Sequence, residues 1–317
     1  MMTRWKIPRP AGDPGASRLK RWVGACLLVL GAATAAGQQI PDPNFDVTVA
    51  RPAANQTKVL FDEAHFNFHT TTGRYQSFAR LLEHDGCVMT SNQQKFSRPT
   101  LAGYAVLVIA NALGAANMGA AEAGNPAFTE EECLAVAAWV RAGGGLLLIA
   151  DHSPMGAAAE RLGRQFGVDM SKGYTSDPEH HAMESKNEGF LLFNRENGLL
   201  GEHAIMRGLL PNERISRVQS FTGQSLRGPD GSTVLLKLAD TAIDVDRTTK
   251  SRTSAAGRAQ GIALPFGEGR GVVMGEAAML SAQLAGPEKR AMGMNQPGLD
   301  NKQLTLNIVH WLARILH

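Results

Sequence analysis

The chain has 317 residues, 44% hydrophobic and 19% charged, so it can bury a large core and is too apolar and mixed to be disordered or fibrous. The formal charge of +3 is unevenly placed. Arg4, Lys6, Arg9, Arg18, Lys20 and Arg21 stand against Asp13 before Gln38, and the totals of 32 and 29 leave 26 basic and 28 acidic residues for the rest. A faintly acidic body offers no electrostatic footprint for nucleic acid, and no Walker loop is present.

Arg18-Leu-Lys20-Arg21 runs into a mostly apolar stretch from Trp22 to Ala36, followed by Gln38 and Gln39. This succession predicts a signal peptide over 1–37, cleaved before Ala36 or Gln38, and export to the periplasm or the exterior. The apolar stretch falls short of the roughly twenty residues of a spanning helix, so no stable membrane span is expected after processing. Cys87 and Cys133 are then the remaining thiols, read as two buried small hydrophobes or as one disulfide.

From Gln38 to Thr57 the sequence is rich in Pro, Asn and Ala without a period, an extended lead-in. Val59-Leu60-Phe61 predicts a first strand. Tyr75, Phe78, Leu81 and Leu82 then keep helical spacing from about Arg74 to a stop at Gly86. Cys87-Val-Met89 is a second strand, and Ala105 to Ala110 a third whose continuous apolar run marks burial on both faces. After a Gly-, Ala- and Asn-rich loop, Thr129-Glu-Glu-Glu132 is a capping box for a helix with Cys133, Val136, Ala137 and Val140 on one face. Leu146 to Ala150 is a fourth strand, and Met155 to Phe166 another helix.

This order predicts an α/β fold with a doubly wound, mostly parallel sheet. Periodicity is lost from Ser171 to Leu200, which predicts an insertion over one sheet edge. Strand-like runs return at Val218–Phe221, Val234–Leu238, Gly261–Leu264 and Val272–Met274, and a last helix, capped by Asp300, carries Leu304, Ile308, Trp311, Leu312 and Ile315. Residues 58–317 read as one elaborated domain.

In an open parallel sheet, ligands lie beyond the carboxyl ends of the strands, so the residues after each strand carry the functional reading. Those positions hold Asp62, Glu63, His65, Asn67 and His69, then Asn111, then Asp151, His152 and Ser153, and lastly Glu276. The strands themselves are apolar. Asp62, His65, His69 and His152 supply oxygen and nitrogen donors of the kinds that a divalent metal such as zinc accepts. Glu63, Asp151 and His152 are then the candidate acid, base and catalytic groups. Asp62, Asn67, Asn111, Ser153 and Glu276 are candidates for holding a small polar ligand. In the alternative reading the acids cap local segments, the histidines bond to loop backbone, and Ser153-Pro154 is a helix start with serine at the N-cap.

Carboxylate pairs such as Asp62 or Glu63 with Asp151, Glu179 or Glu276 would also serve glycoside hydrolysis. Only Phe66, Phe68 and Tyr174 offer a sugar platform, which disfavours a long polysaccharide. The strand-end groups are expected to converge on one pocket, with the insertion bearing His180 and His181 folded over it.

Four stretches, VLFDEAHFNFH, GGGLLLIADHSP, GVVMGEAAML and LDNKQLTLNIVHWLARIL, resemble the class I glutamine-amidotransferase-like superfamily. Within it they are similar to the gliding-motility and intraflagellar-transport domains and, more distantly, to ThuA-like proteins. The resemblance implies a flavodoxin-like sheet with a polar site at the strand ends. By position the family's nucleophile falls near Asp151 to Ser153, where no cysteine stands, so hydrolysis of glutamine by a thiol is not expected. Three functions remain open: binding of a small polar ligand, metal-assisted hydrolysis, and a structural role toward a protein partner.

Overall fold

The computed structural model describes residues 39–317, and the expected signal peptide lies outside the described residues. The lead-in contributes a strand of its own, β1 (Gln39–Pro41). Then come β2 (Lys58–Asp62), α1 (Gln76–His84), β3 (Val88–Asn92), the one-turn α2 (Arg98–Leu101), β4 (Val106–Ala110), α3 (Glu130–Arg141), β5 (Gly145–Ile149) and α4 (Met155–Gln165). All but α2 were expected from periodicity. The second half holds β6 (Asp169–Met170), β7 (Tyr174–Ser176), β8 (Leu192–Asn194), α5 (Ala204–Arg207), β9 (Arg217–Gln219), β10 (Leu226–Arg227) and β11 (Thr233–Lys237). It ends with β12 (Ile243–Val245), β13 (Arg252–Ser254), β14 (Ala259–Phe266), β15 (Gly269–Met274), β16 (Ala282–Ala285), β17 (Arg290–Gly293) and α6 (Asn301–Leu312).

The central sheet has nine strands in the order β3-β2-β4-β5-β15-β14-β10-β6, with β11 also paired to β14. From β3 to β15 every pairing is parallel. Beyond β15 the pairings are antiparallel. Smaller antiparallel sheets join β1 to β16 and β17, β7 to β12 and β13, and β8 to β9.

Side chains alternate across a strand, and here both faces are covered. Val59, Phe61, Val108, Leu147, Ile149 and Met274 pack with Phe78 and Leu82 of α1 and with Leu304 and Ile308 of α6. Leu60, Leu107, Ile109, Leu148 and Val273 pack with Val136 and Val140 of α3 and Leu162 of α4. The uninterrupted apolar runs of β4 and β5 follow from this two-sided burial. Cys87 and Cys133 are free and buried in different cores, on opposite faces, so the disulfide reading is corrected. Burial pushes both thiols up to about 12.

The capping box forms as expected: the Thr129 side chain accepts from the Glu132 amide, and Glu132 accepts from the Thr129 amide. Gly86 ends α1 with φ at +101°, a conformation that L side chains rarely adopt. Two expected caps are corrected. Ser153 is not an N-cap: α4 has Pro154 at that position without a side-chain cap bond, and the Met155 amide is taken by the His152 carbonyl at 3.0 Å. Asp300 precedes α6 but accepts from the Ser216 and Arg217 amides at 2.7 and 2.9 Å, tying the helix to β9 instead. Among the described residues no helix is long and apolar enough to cross a membrane.

Candidate functional site

Strand ends β4, β5 and β15 come together at one edge because their backbones are tied there. The Asn111 amide donates to the Ile149 carbonyl and the Ala150 amide to the Met274 carbonyl, both at 3.0 Å. Asn111 turns the chain with φ at +52°, which lets its side-chain oxygen accept from the Asp151 amide at 2.9 Å. A cavity of about 220 Å³ opens beyond these ends, and His69, Arg74, Asn111, Asp151, His152 and Glu276 line it. Four of the expected strand-end residues after β4, β5 and β15 therefore share a cavity, together with His69 from the loop after β2.

Asp151 and Glu276 are buried carboxyls facing a common space. Burial raises the Asp151 carboxyl to about 7, against hydrogen bonds from the His152 and Ala277 amides and Asn111 that favour its charge. Burial, with the neighbouring Asp151 charge added, pushes Glu276 well above the usual carboxylate range. Glu276 also accepts from the Ala278 and Met279 amides at 2.7 and 2.8 Å, so it holds its local turn as well as lining the cavity. Behind it the chain is pressed close: a Cβ at Gly223 would stand 2.3 Å from the Gly275 carbonyl oxygen and 2.7 Å from the Glu276 Cβ.

Also lining the cavity, His69 is buried and stacked on Tyr75, ring centroids 4.8 Å apart. Burial, with Arg74 nearby, lowers it to about 3, so the ring is neutral, and its Nδ1 has no hydrogen-bond partner among the described residues. Gln283 lines the same cavity, and its Oε1 is likewise buried without a partner. Arg74 donates to Gln39 Oε1 at 3.2 Å and lies 4.5 Å over the Phe68 ring. Among the described residues no carboxylate lies within ion-pair distance of it. His152 stacks on Tyr174 at 4.3 Å with Nδ1 2.8 Å from the Ser153 carbonyl oxygen, and burial, with Arg247 adding to it, lowers its pKa.

The groups after β2 go elsewhere, except for His69. Asp62 has the parity of Leu60, whose face carries α3, whereas Asp151 and Glu276 have the parity of Ile149 and Met274, on the α1 and α6 face. Asp62 is fully buried, with His65 Nδ1 at 2.9 Å; His65 Nε2 lies 2.8 Å from Glu132, and its ring is flanked by Phe96 and Phe128 at 4.7 Å. Asn67 donates to Asp62 at 3.0 Å and is part of the same network. Burial works against a charged His65, yet its bonds to Asp62 and Glu132 outweigh that and raise its pKa. Glu63 accepts from the Thr71 amide and hydroxyl at 2.7 Å and from Gln93 at 3.0 Å, outside the cavity.

The expected metal set of Asp62, His65, His69 and His152 is thereby divided between a closed ion network and the cavity. Among the described residues no group of three or more His, Cys, Asp or Glu side chains could hold a metal ion, so these donors do not fit zinc. Ser153 does not line the cavity. His180 and His181 are bound to Asp177, at 3.2 Å to its carboxylate and 2.9 Å to its carbonyl, and do not reach the cavity either. The insertion instead supplies Tyr174 against His152. Of the expected platform, Phe68 lines the cavity and Phe66 is exposed. Sequence reading missed Arg74, Gln283 and Gln39, which stand among helical or unpatterned neighbours and carry no spacing signal.

No family profile matches the chain, and no curated protein does. Solved structures do resemble it. The N-terminal domain of mmIFT52 superposes with a TM-score of 0.57 at 14% identity, covering 80% of this chain and 97% of that domain. A ThuA-like protein from Bacteroides uniformis gives 0.44 at 13% identity over 86% of this chain and 95% of its own. A second, from Parabacteroides merdae, gives 0.43 at 15% identity over 82% and 90%. The first of these likenesses shows a shared fold.

Proposed function

We propose that the chain is an exported, amidotransferase-like domain without the thiol nucleophile, and that its strand-edge cavity binds a small carboxylate-bearing ligand. Counting β2, β3, β4, β5 and β15 as first to fifth, the parallel strands lie in the order second, first, third, fourth, fifth, which supports a flavodoxin-like winding. Ligands of such sheets sit where the strand order reverses, at the β2 and β4 ends, and His69 and Asn111 enter the cavity from there.

One observation carries the reading. Arg74, a cation without a carboxylate partner among the described residues, shares a cavity with buried polar atoms that have no partner, His69 Nδ1 and Gln283 Oε1. At neutral pH Glu276 keeps its proton and can donate, while Asp151, raised to about 7, is about half protonated, so the Arg74 cation faces one carboxyl donor and one carboxyl that is only partly ionised. That set complements a carboxylate, with hydroxyl or amide groups for the acceptors.

Acetate and its neutral isostere acetamide test this by chemical-shift titration of the full chain. Acetate is expected to saturate and to shift the His69 and His152 rings, with at least tenfold weaker binding in Arg74→Met. Equal affinity for acetamide, or acetate binding indifferent to Arg74→Met, would overturn the proposal.

A further inference from the structure

A second and larger cavity, of about 520 Å³, lies beside the first, and the two share a wall: Phe221 and Met292 line both. Their surfaces differ in kind. The inner cavity gathers acids, imidazoles and a guanidinium, whereas the outer is walled mainly by Phe190, Phe221, Ala285, Pro287, Ala291 and Met292. Phe190 and Phe221 meet edge to face at 5.3 Å, forming an aromatic corner.

Some polar groups of the outer chamber are engaged with one another, while Gln296 Oε1 is buried without a partner among the described residues. Arg290 pairs with Glu288 at its rim, and Gln296 donates to Gln219 at 3.4 Å. Among the described residues that line it, the one cation, Arg290, is paired and not free for a second anionic group. The elements also differ in share, since the outer walls come from β16, β17, the insertion and the region of β9, while the ends of the parallel strands enter only the inner cavity, to which β16 and β17 add Gln283 and Met292.

We infer that the two cavities form one site for an amphiphile, a carboxylate head at Arg74 in the inner chamber joined to an aliphatic tail that passes Phe221 and Met292 into the outer one. This rests on the reading of the inner cavity as a carboxylate site and adds the class of ligand. The tail gains by leaving water for an apolar chamber, and each buried methylene is worth roughly fourfold in affinity. A head alone satisfies the inner groups but leaves the outer chamber unused. A polar tail would meet few partners besides Gln296 Oε1 and Glu184 on these mainly apolar walls.

The test titrates acetate, hexanoate and octanoate into the full chain and into Ala291→Trp, which fills the outer chamber from β17. Ala285→Phe does so from β16, should the first variant fold poorly. The wild-type chain is expected to bind octanoate at least a hundredfold more tightly than acetate, in steps of roughly fourfold per methylene. Both variants should bring octanoate close to acetate while leaving acetate unchanged, and Arg74→Met should weaken all three. Arg74-dependent acetate binding with no gain along the series would overturn the amphiphile and leave the carboxylate site standing. A gain that survives both filling substitutions, or octanoate binding that ignores Arg74→Met, would equally overturn it. Failure of every probe to bind would remove both proposals.

Discussion

At Asp151 one carboxyl links the strand edge to the stability of the fold. Its pKa is held near 7, against an ordinary 3.8, because burial penalises its charge. The unfolded chain ionises this group at the ordinary value, so its contribution to stability is intact below about pH 4 and is lost as pH rises through about 7. A difference of about three pH units sets a ceiling near 4 kcal/mol, which belongs to Asp151 and Glu276 as a pair because their titrations are coupled. Asp151→Asn is therefore expected to flatten the decline in unfolding free energy between about pH 4 and pH 8, measured by urea denaturation. A variant that declines as steeply as the wild type would show that the group is not held protonated by burial.

Between elements, the closed network of Asp62, His65 and Glu132 ties the loop after β2 to the first turn of α3. Glu132 does double duty, accepting from the Thr129 and Phe96 amides while it holds His65. His65→Ala would leave two buried carboxylates without their common partner, a loss of about 3–5 kcal/mol. Because His65 titrates above its ordinary 6.5, that stabilisation is present below pH 6.5 and fades as pH rises through the raised value. Acetate affinity should stay unchanged, and loss of binding without loss of stability would return His65 to the site.

These two groups also show what was legible in the sequence. The continuous runs of β4 and β5 and the capping box at Thr129 are local signals, and they yielded the layers and most of the helices. Asn111, Asp151, His152 and Glu276 were found because a parallel sheet collects whatever follows its strands. Asp62 followed the same rule and still went to the other face, because it is the last residue of β2 and keeps the strand's alternation, whereas Asn111 and His152 lie past their strand ends, where the turning backbone overrides it. Arg74 and Gln283 meet through contacts between α1's leading loop and a strand some two hundred positions later. No period records such a meeting.

Over the whole molecule, the proposed export signal ends just ahead of β1 in the sequence. Cleavage before Ala36 or Gln38 would leave β1 intact, with Gln39 paired to Ala285 and its side chain accepting from Arg74. N-terminal sequencing of exported protein should recover one of those two ends, and recovery of uncut chain from the cytosol alone would overturn the export reading. Removal of residues through Pro41 is expected to weaken acetate binding several-fold by freeing Arg74, read in the same titration. The alternation that divides Asp62 from Asp151 has a consequence for how such domains diverge. A single-residue insertion or deletion near the end of β2 would reverse the side on which its last carboxylate emerges. Descendants of one ancestral scaffold could thus trade a structural ion network for a new pocket wall, or the reverse, in one genetic step that re-registers only the last pairs of β2 with β3 and β4.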